Sequence, residues 1–303
     1  PIYWWKNRHD EQIPKDAGCV ILVNSTNMIL SDLVLQNNTE GILLVDVNNT
    51  VVSKNIIMGT RYGILIRPTL YTYVLVNNTI THNNITRNGV GVESAIKNGT
   101  FSSNNLAYNL AGIYDSGEGL NLITGNNITE NALPPREEWV LGYEPPNSVP
   151  MIYYHRGGIG IALESPKSTI CYNNIQKNDY GMSVGLVTGR GANRIYHNNF
   201  LNNTEHVESP IEWVTTPPAS IWDYDYPSGG NFWSDYTGAD LYGGSYQNET
   251  GSDGIGDTRF AIYRNTVDRY PSMGPFTMLD AGTWNGATYN VSLTSNSTVS
   301  GFY

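Results

Sequence analysis

The sequence predicts an all-β fold. A parallel β-helix is followed by a closing module rich in Gly, Asp and aromatic residues, and then by the start of a C-terminal β-sandwich-like segment. Three observations carry this. The phrase Asn-Asn-apolar-x-x-Asn recurs at 83–88 (NNITRN), 104–109 (NNLAYN), 126–131 (NNITEN), 173–178 (NNIQKN) and 198–203 (NNFLNN), with looser copies at 31–36 (SDLVLQ) and 54–59 (KNIIMG). The copies start 23, 29, 21, 22, 47 and 25 residues apart, so the 47 reads as one period plus an insertion of roughly one more. A period of about 22 residues marks a solenoid in which each repeat touches only its neighbours. The segments between corners are short, β-branched and alternating, as in Cys19–Val23, with neither the 3.6 spacing of helices nor the fixed Leu offsets of a leucine-rich repeat. Finally, Asn and Gly punctuate those segments, and Asn suits corners because it tolerates left-handed backbone angles and bonds nearby backbone.

Equivalent residues of successive coils lie about 4.8 Å apart. The motif's Asn side chains are therefore expected to stack as an amide ladder, which satisfies polar groups that burial would penalise. Its apolar residues Leu33, Ile56, Ile85, Leu106, Ile128, Ile175 and Phe200 are expected to form one inward column.

In chain order, residues 1–18 read as an N-terminal cap or the continuation of a preceding coil, with Trp4 and Trp5 packing on the first coil or forming a carbohydrate platform. Coils run over 19–206, many opening on Gly-apolar pairs (Gly41-Ile42, Gly63-Ile64, Gly91-Val92, Gly112-Ile113). There Gly serves a turn with positive φ or a close backbone approach. Residues 132–157 form an inserted loop with two Pro-Pro pairs and Glu137, Glu138, Trp139, Tyr143, Tyr153, Tyr154, His155 and Arg156. A loop of this length is contact-making or functional; it either packs its aromatics on the solenoid flank or contributes carboxylates to a sugar site. Residues 207–280 are the closing module, and 281–303 read as a hairpin feeding a strand.

Acids outnumber bases 27 to 17, giving −10, which argues against a nucleic-acid partner. No 18-residue apolar run is present to span a membrane. Pro1 reads as an interior residue of a longer precursor. Cys19 and Cys171 lie about six coils apart by repeat count, roughly 30 Å at the strand spacing, too far for a disulfide; both are expected free and buried. In the closing module GSDGIGDT (251–258) spaces acids with glycines. Asp235, Asp240, Asp253 and Asp257 are candidate Ca²⁺ ligands, with Asx turns that bond their own backbone as the open alternative. Sequons at Asn24, Asn37, Asn48, Asn77, Asn98, Asn202, Asn248, Asn290 and Asn296 are candidate N-glycan sites. Asn84 and Asn127 also head sequons, but they sit inside the NNIT motif, where ladder burial would bar a sugar. Asn24, Asn48, Asn77 and Asn98 are expected to share one corner and to crowd there.

The coils, and above all YPSGGNFWSDYTGADL followed by GSDGIGDTRFAIYRNTVDRYPSM, resemble archaeal surface proteins of the NosD-like, CASH-type family, whose closing module reads GNYWSDY…DGIGDTPY…DxYPLM. The resemblance covers about residues 19–275. It implies a right-handed parallel β-helix and secretion. The family name derives from a periplasmic protein of copper-site maturation, but copper needs His, Met or Cys clusters, and His9, His82, His155, His197 and His206 are scattered. The resulting expectation is a non-catalytic extracellular structural or adhesive cell-surface protein. It would be part of a longer polypeptide or of a filament, with copies of itself, other surface proteins or carbohydrate as partners. A polysaccharide lyase or glycosidase is the alternative and a metal-handling accessory protein the second. Among the coil acids Asp32, Asp46, Glu93, Asp115, Glu118, Glu164 and Asp179, none repeats at one offset beside a basic partner.

Overall fold

The computed structural model describes residues 1–70, 73–132, 158–185, 191–208, 220–263 and 266–277. It is a right-handed parallel β-helix with three sheets. Sheet 1 has nine strands, from Ile2–Lys6 to Glu205–Val207; sheets 2 and 3 have eight each, from Ile29–Ser31 to Ser220–Ile221 and from Val34–Gln36 to Phe232–Trp233. The solenoid thus runs further at both ends than the expected 19–206. Ile2–Lys6 pairs in parallel with Cys19–Val23, and Phe232–Trp233 extends sheet 3 beyond Asn199–Leu201. The former is already a coil strand, with Trp4 exposed and Trp5 half-buried against Tyr3.

Each sheet sends alternate residues inward, and these stack into columns with almost no solvent exposure. In sheet 3 the column is Leu35, Ile57, Ile85, Leu106, Ile128, Ile175, Phe200 and Trp233. Two members of the expected column are corrected. Ile56 pairs with Asn84 and lies on the outer side, and Leu33 precedes the strand at the ladder position. The looser copies match the full motif only when shifted by one and two residues, and with a side-chain period of two a one-residue slip reverses the face. The column closes on stacked aromatics: Phe200 on Trp233 at 4.4 Å and Trp233 on Phe260 at 4.4 Å.

The buried amide ladder is made by the first Asn of each motif. Asn55, Asn83, Asn104, Asn126, Asn173, Asn198 and Asn231 follow one another, each after Asn55 accepting at Oδ1 from both the backbone N–H and the Nδ2 of the preceding member. Each Nδ2 also donates back to a carbonyl of an earlier coil, as Asn104 does to Ile80 at 2.9 Å. Asn126 bonds directly to Asn173, so the 47-residue step is a single coil. Two N–H groups emerge from the last member, and only an acceptor can terminate them. Asp268 does so, accepting from the Asn231 N–H at 2.7 Å and also from Trp233 Nε1 and the Tyr270 N–H. The motif's final Asn builds a parallel ladder from Thr60 through Asn88, Asn109, Asn131 and Asn178 to Asn203.

The left-handed corner residues are a different set. One corner column reads Asp32, Lys54, His82, Ser103, Gly125, Tyr172 and His197, all with φ between 53° and 65°. The motif Asn follows that residue and holds the corner by hydrogen bonding instead of by its own backbone angle.

The Gly column Gly41, Gly63, Gly91, Gly112, Gly160 and Gly181 is set by close approach. A Cβ on Gly112 would lie 2.5 Å from the Gly160 carbonyl oxygen and 3.0 Å from Ile128 Cγ2. None of the six has positive φ. Both cysteines are free and buried, Cys19 on sheet 1 and Cys171 on sheet 2. The closing module adds two antiparallel pairs, Tyr242–Gly243 with Glu249–Thr250 and Phe260–Tyr263 with Thr266–Asp268. The expected strand over 281–303, with Asn290 and Asn296, and the inserted loop 133–157 lie outside the described residues.

Candidate functional site

Charged side chains gather on the outer face of sheet 1. Two outward columns run there in register: Tyr62, Val90, Ala111, Ile159 and Tyr180, and Leu43, Leu65, Glu93, Tyr114 and Ala162. Most of these residues are buried and form a second apolar cluster, so polar groups among them are costly unless partnered. Ala132 and Gly158 lie against each other just before the strand Ile159–Leu163 of this face.

Glu93 is the residue out of keeping. Its Oε2 is buried without a hydrogen-bond partner among the described residues. Burial raises its pKa, against the pull of the Arg67 and Arg61 guanidinium groups. One coil further on, Tyr114 Oη donates to Glu164 Oε2 at 2.8 Å. Burial and the adjacent Glu164 carboxylate push the phenol far above its usual range. Tyr114 is therefore a donor, and at neutral pH it is no base. The grouping of Arg61, Arg67, Glu93, Tyr114 and Glu164 escaped the sequence because its members sit at different offsets. Arg67 and Glu164 share one outward column, Glu93 and Tyr114 another, and the insertion conceals that Glu164 lies only one coil beyond Tyr114.

Other acids hold backbone. Asp115, fully buried inside the coil, accepts from Ser165 Oγ, Asn121 Nδ2 and the Gly117 N–H, and burial pushes its carboxyl up to about 6. Burial likewise pushes Asp268 up to about 7, although three N–H donors favour its charged form. Asp223 and Asp225 grip Arg269.

The four candidate Ca²⁺ ligands lie in one region but do not converge. Asp240 accepts from the N–H groups of Asp253 and Gly254 and from Ser252 Oγ. Asp257 accepts from those of Leu241 and Tyr242. Asp253 accepts from the Ile255 N–H and from Gln247 Nε2, and Asp235 pairs with His206 Nε2 at 3.1 Å. Among the described residues no three His, Cys, Asp or Glu side chains gather as a metal would need.

Every described sequon Asn reaches the surface. Asn24, Asn37, Asn77, Asn98, Asn202 and Asn248 are exposed; Asn48, Asn84 and Asn127 are half-buried. The expected shared corner is corrected. Asn98 stacks on Asn77 and Asn77 on Asn49, whereas Asn24 stacks on Asn7 in a separate column. Asn48 accepts from the Val76 N–H. Asn84 and Asn127 are likewise not in the buried ladder. They are the second Asn of the motif, on the outer face of sheet 3, with Asn105 between them.

The fold and its ladders define a NosD-like parallel β-helix protein. The chain matches the family described as periplasmic copper-binding protein (NosD) over residues 6–137 and 147–238, and it belongs to that family. No curated protein is similar enough to count as a match. Among solved structures the chain is similar to the A-modules of two Azotobacter vinelandii mannuronan C-5 epimerases. The first is AlgE6, with 14% identity, TM-score 0.45, and 73% of this chain and 55% of that one covered. The second is AlgE4, with 11% identity, TM-score 0.36, and 66% and 63% covered. It is also similar to the tailspike of E. coli bacteriophage HK620, solved with a pentasaccharide, with 11% identity, TM-score 0.41, and 77% and 48% covered. These likenesses concern the fold alone, and the chain spans 48 to 63% of the length of those structures.

Proposed function

We propose that this chain is a non-catalytic structural or adhesive protein acting outside the cytoplasm. The observation that supports it most is where its carboxylates go. Asp115, Asp223, Asp240, Asp257 and Asp268 all accept from backbone or side-chain donors that fix corners and the closing module. Surface sequons fit an exported chain, since the sequon is an acceptor only there, and the family description names the periplasm.

That description also names copper, and the described donors do not fit it. Copper sites need convergent imidazole, thiolate or thioether ligands. His197 uses both ring nitrogens, accepting from Tyr172 Oη and donating to the Ser228 carbonyl oxygen. His206 is held by Asn203 and Asp235, and His82 by Thr81. Cys19 and Cys171 lie in different sheets.

A second reading, a polysaccharide-cleaving enzyme, is favoured by one observation: the raised Glu93, whose Oε2 has no hydrogen-bond partner among the described residues, near Glu164 and two arginines. A raised carboxyl beside a second carboxylate is what glycoside hydrolysis uses. The test is incubation with neutral and acidic polysaccharides while following new reducing and unsaturated ends. No product is expected. Products that vanish in Glu93→Gln, with folding intact, would overturn the first reading and establish the second.

A further inference from the structure

The chain seats part of its own backbone on the outer face of sheet 3. Phe276 donates its N–H to Asn199 Oδ1 at 2.7 Å and accepts from Asn199 Nδ2 at 2.8 Å, so one carboxamide holds both polar groups of one residue. The Phe276 ring lies against His197, with centroids 4.6 Å apart, and edge-on to Tyr172. Under this cover Asn199 is 3% exposed. Asn199 ends an outward column in direct register, with Asn174, Asn127, Asn105 and Asn84 on the four preceding coils. Those four are half-exposed. Among the described residues each of their Oδ1 atoms accepts one hydrogen bond, and no Nδ2 donates more than one. A carboxamide offers two donors and two lone pairs. Each of the four therefore keeps a spare donor and a spare lone pair of the kind that Asn199 gives to Phe276.

The spacing selects the partner. Alternate members of the column stand two coils, about 9.6 Å, apart. A polyproline II segment has three residues per turn and rises about 3.1 Å per residue, so every third residue faces the same way at intervals of about 9.3 Å. A β-strand presents same-facing residues at about 6.7 Å and falls out of step with the column. Polyproline II backbone makes no internal hydrogen bonds, so its N–H and C=O groups are open to carboxamides, and Phe276 itself follows Pro275. Beside Asn105 and Asn127 the corner carries only Ser103 and Gly125, with exposed His82 and Tyr172 on either side. A Cβ on Gly125 would meet nothing closer than Ser103 Oγ at 3.7 Å, which leaves room for a partner side chain. The strands of sheet 3 hold no charged residue. Exposed Asp32 and Lys54 stand at the corner of the first two coils, where Val34 and Ile56 take the place of the column's Asn. At the far corner Glu130 pairs with Lys177, and Arg87 lies over the Tyr108 ring. We infer that Asn84, Asn105, Asn127 and Asn174 dock an uncharged polypeptide segment in the polyproline II conformation, running along the solenoid axis and held through its backbone as Phe276 is. This rests on the adhesive reading above and names a partner for it. A sugar on Asn84 or Asn127 would take the same carboxamide and exclude the segment.

The test titrates a fluorescein-labelled peptide of four Gly-Pro-Thr repeats with the full chain, made in a host without N-glycosylation, and follows fluorescence anisotropy. A proline dodecamer is the comparison, because it keeps the conformation and lacks backbone N–H groups. Asn105→Ala with Asn127→Ala removes one member from each alternate pair. Asn248→Ala in the closing module is the control, and thermal melting checks that each variant folds. The Gly-Pro-Thr peptide should bind saturably to the parent and the control, and at least tenfold more weakly to the double variant. The proline dodecamer should bind the parent at least tenfold more weakly than the Gly-Pro-Thr peptide does; if the double variant fails to fold, this comparison alone decides. No saturable binding of the Gly-Pro-Thr peptide, equal binding of the proline dodecamer, or equal binding by the double variant would overturn the inference. None of these outcomes depends on product ends, so failure here is distinguishable from failure of the adhesive reading.

Discussion

Asn104→Ala tests the buried ladder where it is continuous on both sides. Asn104 Oδ1 accepts from the Asn83 N–H at 3.0 Å and from Asn83 Nδ2 at 2.9 Å, and Asn104 Nδ2 donates to the Ile80 carbonyl oxygen and to Asn126 Oδ1. Alanine strips the Asn83 N–H of its acceptor and takes a donor from the Ile80 carbonyl. Asn83 Nδ2 keeps Val52 and Thr81, and Asn126 Oδ1 keeps the Asn104 N–H. Each stranded buried group costs about 1–3 kcal/mol, so two give about 2–6 kcal/mol. Asn105→Ala, one residue away but on the outer surface, should stay within about 0.5 kcal/mol. Asn55→Ala should cost about as much as Asn104→Ala, because it strips the Leu33 N–H of its acceptor and takes a donor from the Leu30 carbonyl. Among the described residues the preceding coil pairs only as far as Ile13 on Ile29 and brings no N–H to position 33, which is why leucine can begin the column. Urea unfolding followed by far-UV circular dichroism gives the comparison. A loss below about 1 kcal/mol for Asn104→Ala, or equal losses at 104 and 105, would refute the ladder as a source of stability.

The other predictions concern pH, packing, chelation and glycans. Asp115 and Asp268 have folded pKa values of about 6 and about 7, above the ordinary 3.8, so the folded state holds more protons. Their stabilising contribution is full below about pH 4 and is lost as pH rises to about 7, at up to about 1.4 kcal/mol per unit per group. Melting temperature should fall across that window, Asp268→Asn should flatten its upper half, and a rise with pH in that window would contradict the assignment. Gly112→Ala sets a methyl against the Gly160 carbonyl oxygen and should cost about 1–3 kcal/mol or prevent folding; a neutral effect would show that the corner is looser than described. Because Asp240 and Asp257 are already engaged by backbone N–H groups, EDTA should leave the melting temperature unchanged, and a fall that Ca²⁺ restores would reinstate the ion. Glycopeptide mass spectrometry should find Asn248, Asn202 and Asn37 modified and Asn77 and Asn98, which stack on each other, seldom modified together; uniform occupancy would contradict this.

The sequence by itself determined the solenoid, its period, its Asn and Gly columns and its closing module. Each of those is a local pattern repeated, and stacking converts repetition into contact. Five full copies of the motif placed the inner column of sheet 3 from Ile85 to Phe200 correctly. Where the motif weakened, at SDLVLQ and KNIIMG, one or two residues of misalignment put Ile56 and Leu33 in the wrong place, because alternation along a strand tolerates no slip. The role of Asn was legible in kind but not in detail. That the first Asn is buried and the second exposed, which reverses the expectation for Asn84 and Asn127, depends on which way each side chain leaves the corner. Only the tertiary structure decided what meets across coils. Arg67, Glu93 and Tyr114 belong to successive strands of sheet 1, and Glu164 directly follows the next one, at unequal offsets and across an insertion. Asp268 ends the ladder from 37 residues beyond Asn231. Such neighbours are set by register between coils, and a single chain read residue by residue does not carry that register.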